Sequence, residues 1–276
     1  MNPSQQRPTA VERPRLAPIW CLTFLAFCLL YGLTAQRGVS WQDSGCFQNR
    51  VLFGYWHTEG GLALDHPLYI AAGRALLRLP MGSFFWRLNA FSGLGMAVAL
   101  ANLAALVLRL TGRRWVALAT AAMLGVCHNP WWLATIAEIY TWVVAGLTAE
   151  LWLLVSLVER PRGRTLAALA LVSGLGWSLH NQALLPLPVY GVVVVWLGAQ
   201  RRLSGKAMLA AAVAYLLGAG LYIGFIVERA LAEGSLVAAL RSALFANFRN
   251  SVLSLSPSLD HLSINLVLGG LNPAAA

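Results

Sequence analysis

Two carboxylates stand where an acid draws notice in a chain with few charges. Asp43 lies in "VSWQDSGCFQNR", residues 39 to 50, just beyond a long apolar run. Its turn, flanked by Trp and Gly, should hold it near a bilayer surface. Glu138 lies near the end of "NPWWLATIAEIY", an apolar region where an ionised side chain costs about 2.5 to 3.5 kcal/mol on insertion scales, so it is a functional candidate. Arg74 and Arg78, four residues apart, project from one side of a helical stretch and could clamp a phosphate or contact lipid headgroups. His66 and His180 are expected to be hydrogen-bonding groups around an anionic substrate. Glu150 sits deeper in an apolar run, where a protonated or hydrogen-bonded structural role suits it as well as function does. A metal site would need three or four ligands to converge, and no spacing such as HExxH is present, so none is expected.

The elements that must position these groups are membrane helices. The 276 residues are 58% hydrophobic and 11% charged, too apolar for a soluble domain, whose charged fraction is about 25%. Apolar runs close to the roughly 20 residues needed to cross a hydrocarbon core recur without the alternation of a barrel. An all-α polytopic membrane protein with seven spans is expected, at about 18 to 36, 89 to 108, 115 to 130, 138 to 158, 165 to 181, 183 to 199 and 207 to 227. Pro186 and Pro188 inside the sixth predict a kinked or partly unwound helix.

Basic residues orient the array. The N-terminal tail and the turns "RLTGRR", "ERPRGR" and "QRRLSGK" carry twelve of the 20 Lys and Arg against two acids, Glu12 and Glu159. These alternate connections mark the cytoplasmic side, as expected of a bacterial inner-membrane protein. The net charge of +10 therefore reports topology and contact with anionic headgroups, and no basic domain exists to bind nucleic acid. Five histidines, His57, His66, His128, His180 and His261, fall on the outer side. The first apolar run is long for a signal peptide and reads as a retained anchor. The four cysteines show no paired metal-type spacing and read as apolar fillers. The expected organisation is a cytoplasmic basic tail at 1–17, a transmembrane domain at 18–227 and an outer tail at 228–276.

The first outer loop, about 37 to 88, is too rich in aromatic residues for disorder and suits a folded layer at the membrane interface. Within it, "HPLYIAAGRALLRLP" predicts an amphipathic helix started by Pro67 and stopped by Pro80. Its expected apolar face is Leu68, Ala71, Ala72, Ala75, Leu76 and Leu79, laid along the outer leaflet.

Four stretches, "WQDSGCF", "HPLYIAAGRALLRLPMGSFFWRLNAFSGL", "NPWWLATIAEIYTW" and "GLGWSLHNQALLPLP", resemble in order and spacing the bacterial membrane proteins of glycosyltransferase family 117. That family is similar to the protein O-mannosyltransferases and shares the GT-C architecture; the resemblance covers about residues 20 to 190. It implies transfer of a mannose-like sugar from a polyprenyl-phosphate carrier to a protein or glycan acceptor hydroxyl on the outer side, among membrane lipids, with no obligatory metal or other cofactor. It implies Asp43 as the catalytic acid opening the first outer loop, and carries over Glu138 and Tyr140 from "AEIYT" and His180 from "SLHN". Cys46 stands where the family's "DSGEF" has an acid, and the usual "HPPGYPL" is shortened to "DHPLY". A hydroxyl is a poor nucleophile at neutral pH, and a carboxylate accepting its proton supplies about 10² to 10⁴-fold in rate. Asp43 is the expected base, with inversion at the anomeric centre, and Arg74, Arg78 or Arg87 the expected partners of the leaving phosphate. The isoprenoid tail is expected in a groove between spans. GT-C enzymes usually have more spans, so a truncated form or one part of a longer protein is expected. The competing classes are a small-molecule or lipid transporter, suggested by kinked spans and intramembrane acids, and a non-catalytic lipid-binding scaffold. Against the transporter, no inverted repeat is evident and the acids gather on one face.

Overall fold

The computed structural model describes residues 15–247, so most of the basic N-terminal tail, residues 248–276 and His261 lie outside the described residues. The described chain is helical, with no strand among the described residues. Five helical segments are long and apolar enough to cross a membrane, which makes this an integral membrane protein of the all-α class.

The first is α1 (Leu16–Thr34), whose exposed Leu22, Leu25, Leu29 and Leu33 form a face fit for lipid. A layer of short elements follows: α2 (Gln42–Phe53), a 3₁₀ turn (Leu62–Leu64) and α3 (Pro67–Leu76). Then comes α4 (Phe84–Thr111), capped at its start by the Ser83 hydroxyl accepting from the Trp86 N–H and ended by Gly112 at φ 69°. The chain turns back through α5 (Arg114–Val126) and α6 (His128–Thr135) into α7 (Tyr140–Glu159). Next are α8 (Gly163–Leu179), a 3₁₀ turn (Asn181–Leu184), α9 (Leu187–Ala199), α10 (Gly205–Glu233) and α11 (Leu236–Phe245).

Several expectations are corrected. The expected third span is broken: α5 has 13 residues, about 20 Å of rise, and the extended Cys127 separates it from α6. The expected fifth span is the 17-residue α8, about 25 Å long. The sixth expected span is partly unwound, one of the two forms expected: a 3₁₀ turn at Asn181–Leu184 gives way to α9, and Pro186 and Pro188 sit at the N-cap and first turn of that helix, where a missing N–H costs nothing. The chain beyond 227 continues as helix, because α10 runs to Glu233 and α11 folds back on it. The segment around Asp43, expected as a turn, is the first turn of α2, whose Phe47 and Val51 are buried. In α3 the buried residues are Tyr69, Ile70 and Gly73, while Ala75 and Leu79 of the expected apolar face are exposed. That helix packs its buried side against α2, α4, α8 and α10 and leaves Ala75 and Leu79 uncovered by the chain.

Close crossings hold the bundle. The Ser178 hydroxyl donates to the Gly218 carbonyl at 2.9 Å where α8 meets α10. A Cβ on Gly218 would lie 2.5 Å from the Leu171 carbonyl oxygen, so only glycine allows this approach. Between α1 and α4 the Trp20 indole N–H donates to Asn102 at 2.8 Å, and between α4 and α7 the Trp142 indole donates to the Phe91 carbonyl at 3.0 Å. At the basic ends of α4 and α7, Arg109 pairs with Glu159 at 2.9 Å and donates to Ser156 at 2.6 Å.

Candidate active site

Asp43 is placed by a hydrogen-bonded knot. The Gln48 side chain accepts from the Ser40 N–H at 2.9 Å and donates to Asn89 of α4 at 3.0 Å, and Asn89 donates to the Gln36 carbonyl at 2.7 Å. This ties the end of α1, the start of α2 and the N-terminal part of α4 into one unit. A Cβ on Gly45 would meet the Ser40 carbonyl oxygen at 2.5 Å, so the tight approach to α2 requires glycine there. Gln42, at φ 51°, begins the helix in a strained backbone region, as residues beside functional sites often do.

Glu138 lies in the corner between α6 and α7, and α4 fixes its backbone. Its N–H donates to the Ser92 hydroxyl at 2.8 Å, which donates to the Glu138 carbonyl at 2.9 Å. Its Oε1 accepts from the Ser44 hydroxyl at 2.7 Å, whereas Oε2 is buried with no hydrogen-bond partner among the described residues. Burial raises this carboxyl above the ordinary range, the Ser44 hydrogen bond opposes, and the Asp43 charge adds a further push upward.

His66 precedes α3 at φ 47°, a left-handed position, and its ring Nδ1 lies 2.8 Å from the Leu179 carbonyl oxygen. Burial, with the neighbouring His180 and Arg50, lowers its pKa to about 3 against the pull of that hydrogen bond. His180 follows α8 in an extended conformation and stacks on His66 with ring centroids 5.1 Å apart and planes 8° apart. Burial also lowers its pKa. Tyr140 completes the row, its ring 5.4 Å from that of His180.

These five residues, drawn from four separate stretches of the sequence, line one cavity of about 220 Å³ together with Cys46, Phe47, Arg50, Thr58, Leu64 and Ile139. The expectation that Asp43 and Glu138 share a cavity is met. The three arginines expected beside a phosphate are not among its lining residues. Arg74 donates to the Gly54 carbonyl at 3.0 Å and lies over the Trp56 ring at 5.1 Å, which holds it against the loop and off the cavity lining. Arg78 is exposed, and the Arg87 Nε is buried without a partner among the described residues. The cation on the cavity wall is Arg50, which the sequence reading passed over. Its guanidinium donates to the carbonyls of Leu64 (3.1 Å), Trp56 (2.6 Å) and Asp65 (2.6 Å). Asp65, 1% exposed, holds the same segment by accepting from the Thr58 N–H at 2.7 Å and contacting His57 Nδ1 at 2.7 Å. Only the proximity of Arg50 to the "WQDSGCF" stretch could have signalled it.

A second cavity, about 370 Å³, runs between α3, α4, α7 and α8 and is lined by Leu68, Phe91, Trp142, Val172, Leu175 and other apolar residues. It adjoins the first along the chain: Leu68 lies two residues from His66, Leu179 one from His180, and Trp142 two from Tyr140. Glu150 is buried apart from both linings, accepting from the Tyr190 hydroxyl at 2.8 Å, which fits a structural part. Among the described residues no group of three or more His, Cys, Asp or Glu is placed to hold a metal ion. Comparison with protein-family models, curated proteins and solved structures finds no match to this chain.

Proposed function

We propose that this chain is a membrane glycosyltransferase resembling glycosyltransferase family 117 and the GT-C enzymes. It takes a mannose-like sugar from a polyprenyl-phosphate carrier and passes it to a hydroxyl of a protein or glycan on the outer face of a bacterial inner membrane. The observation that carries this reading is a cavity that gathers Asp43, Glu138, Arg50, His66 and His180 beside an apolar groove, of whose lining Leu68, Trp142 and Leu179 lie within two residues of the cavity's own. An amphiphile with an isoprenoid tail and a sugar-phosphate head matches that division.

In the proposed reaction Asp43, exposed at the cavity wall, accepts the proton of the acceptor hydroxyl as its oxygen bonds to the anomeric carbon. The bond from that carbon to the phosphate oxygen breaks from the opposite side, its electron pair leaves with the phosphate, and the anomeric centre inverts. Arg50 contributes positive potential to the departing anion in place of the arginines first expected. Glu138, favoured in its neutral form by burial, acts as a hydrogen-bond donor to the bound head.

The test is transfer by the purified chain in lipid, with labelled polyprenyl-phosphate mannose and periplasmic acceptors. Asp43→Asn should lower single-turnover transfer about 10² fold or more and leave binding of the lipid-linked sugar nearly unchanged. Transfer above half the wild-type rate would remove Asp43 as the base. Ligand flux across the bilayer with no glycosylated product would favour a carrier.

A further inference from the structure

We propose that His66 and His180 form a donor and acceptor pair that reads a ligand hydroxyl and disfavours an ion at the same place. The proposal deepens the transferase reading and rests on it only for the identity of the ligand.

The pairing comes from one corner of the fold. A backbone carbonyl can only accept, so the 2.8 Å contact from His66 Nδ1 to the Leu179 carbonyl puts a proton on Nδ1. A backbone N–H can only donate, so the 3.1 Å hydrogen bond from the Gln182 N–H to His180 Nδ1 requires a lone pair on that nitrogen. His180 must then carry its proton on Nε2. The two main-chain groups flank His180 at the junction of α8 with its 3₁₀ turn, and through them the corner sets opposite tautomers on the two rings.

Both rings resist a second proton. In His180 it would point at the Gln182 N–H. In His66 it would sit on a ring that is 6% exposed, stacked on His180 and close to Arg50. Both rings line the cavity, and the other polar or titratable side chains facing them there are Asp43, Cys46, Arg50, Thr58, Glu138 and Tyr140. No hydrogen-bond partner occupies either Nε2 among the described residues, so the cavity meets a lone pair on His66 and an N–H on His180.

A hydroxyl donates to one and accepts from the other. A carboxylate or phosphate oxygen only accepts and would oppose the His66 lone pair, whereas an ammonium only donates and would oppose the His180 N–H. The histidines thus bind a hydroxyl of the neutral ring attached to the phosphate, as hydrogen-bonding groups around an anionic substrate.

Two measurements test this in the full chain in lipid nanodiscs. Nitrogen-15 NMR of labelled histidines should find His66 protonated on Nδ1 and His180 on Nε2, with neither ring gaining a proton between pH 6 and 8. Matching tautomers, or titration of either ring in that range, would overturn the pair. The second measurement is the Kd for a polyprenyl-phosphate hexose against the corresponding hexuronic acid. Asp43 also repels the carboxylate, so the deciding comparison is His66→Asn. Asparagine tolerates the left-handed backbone and can still donate to the Leu179 carbonyl, but places nothing at Nε2. Wild type should favour the hexose about tenfold or more, and the variant should narrow that preference several-fold. An unchanged ratio would overturn the proposal. Absence of transfer by the wild-type chain, with the hexose preference and its narrowing in the variant both found, would count against the transferase reading alone.

Discussion

Glu138 and His66 are both buried at the cavity, and burial pushes both toward the neutral form from opposite sides of the pH scale. For His66 the folded pKa, about 3, lies below the ordinary 6.5, so the unfolded chain holds the extra proton between those values. Stability from this group is full above about pH 6.5 and falls on acidification by up to about 1.4 kcal/mol per pH unit. Chemical denaturation of His66→Asn between pH 7 and 5 should show a flatter profile than wild type. Glu138 works the other way: its raised pKa means the folded chain holds the extra proton, so stability is full below the ordinary carboxylate range and declines as pH rises through the folded value. Glu138→Gln keeps an acceptor for Ser44 and cannot ionise. It should transfer sugar at a rate that no longer falls with rising pH, and a variant profile that declines as wild type does would remove Glu138 as a neutral donor. The acids and histidines of the site were legible because such groups are costly in apolar surroundings. Arg50 was not, since only the folded path of residues 54–66 brings three carbonyls to one guanidinium.

At the scale of elements, long apolar runs gave α1, α4, α7 and α10 within a few residues, because lipid requires continuous hydrogen-bonded helix. Helix α2 was missed because "QDSGCFQNRVLF" is polar and holds its place by tertiary contacts, through Phe47, Gln48 and Val51. The side of α3 that packs on the protein was hidden for a related reason. Hydrophobicity marked its alanines and leucines, but Gly73 lets α2 approach so closely that a Cβ there would sit 2.7 Å from Val51. The α8 and α10 crossing makes a sharper demand, with the backbones meeting at Gly174 and Gly218. Gly218→Leu should destabilise the protein by about 1 to 3 kcal/mol or more through forced separation, measurable as a lower Tm in detergent. It should also loosen the corner at His180, because Ser178 loses its partner geometry. Gly220→Leu, with nothing near its Cβ position, is the control and should melt close to wild type.

For the molecule as a whole, the basic turns at the ends of α4, α7 and α9 define one side and the acids of the cavity the other. A reporter fused after residue 60 should be active only outside and one fused after residue 112 only in the cytoplasm; reversed results would turn the cavity inward and end the proposed chemistry. The cavity also contains a feature with practical use. Cys46 stands three residues after Asp43 on α2, one turn along the same face, and its exposed thiol lines the cavity. It gives the native chain a chemical handle beside the proposed reacting centre. Small electrophilic fragments could be captured there and ranked by intact mass, so ligands of the cavity could be sought directly.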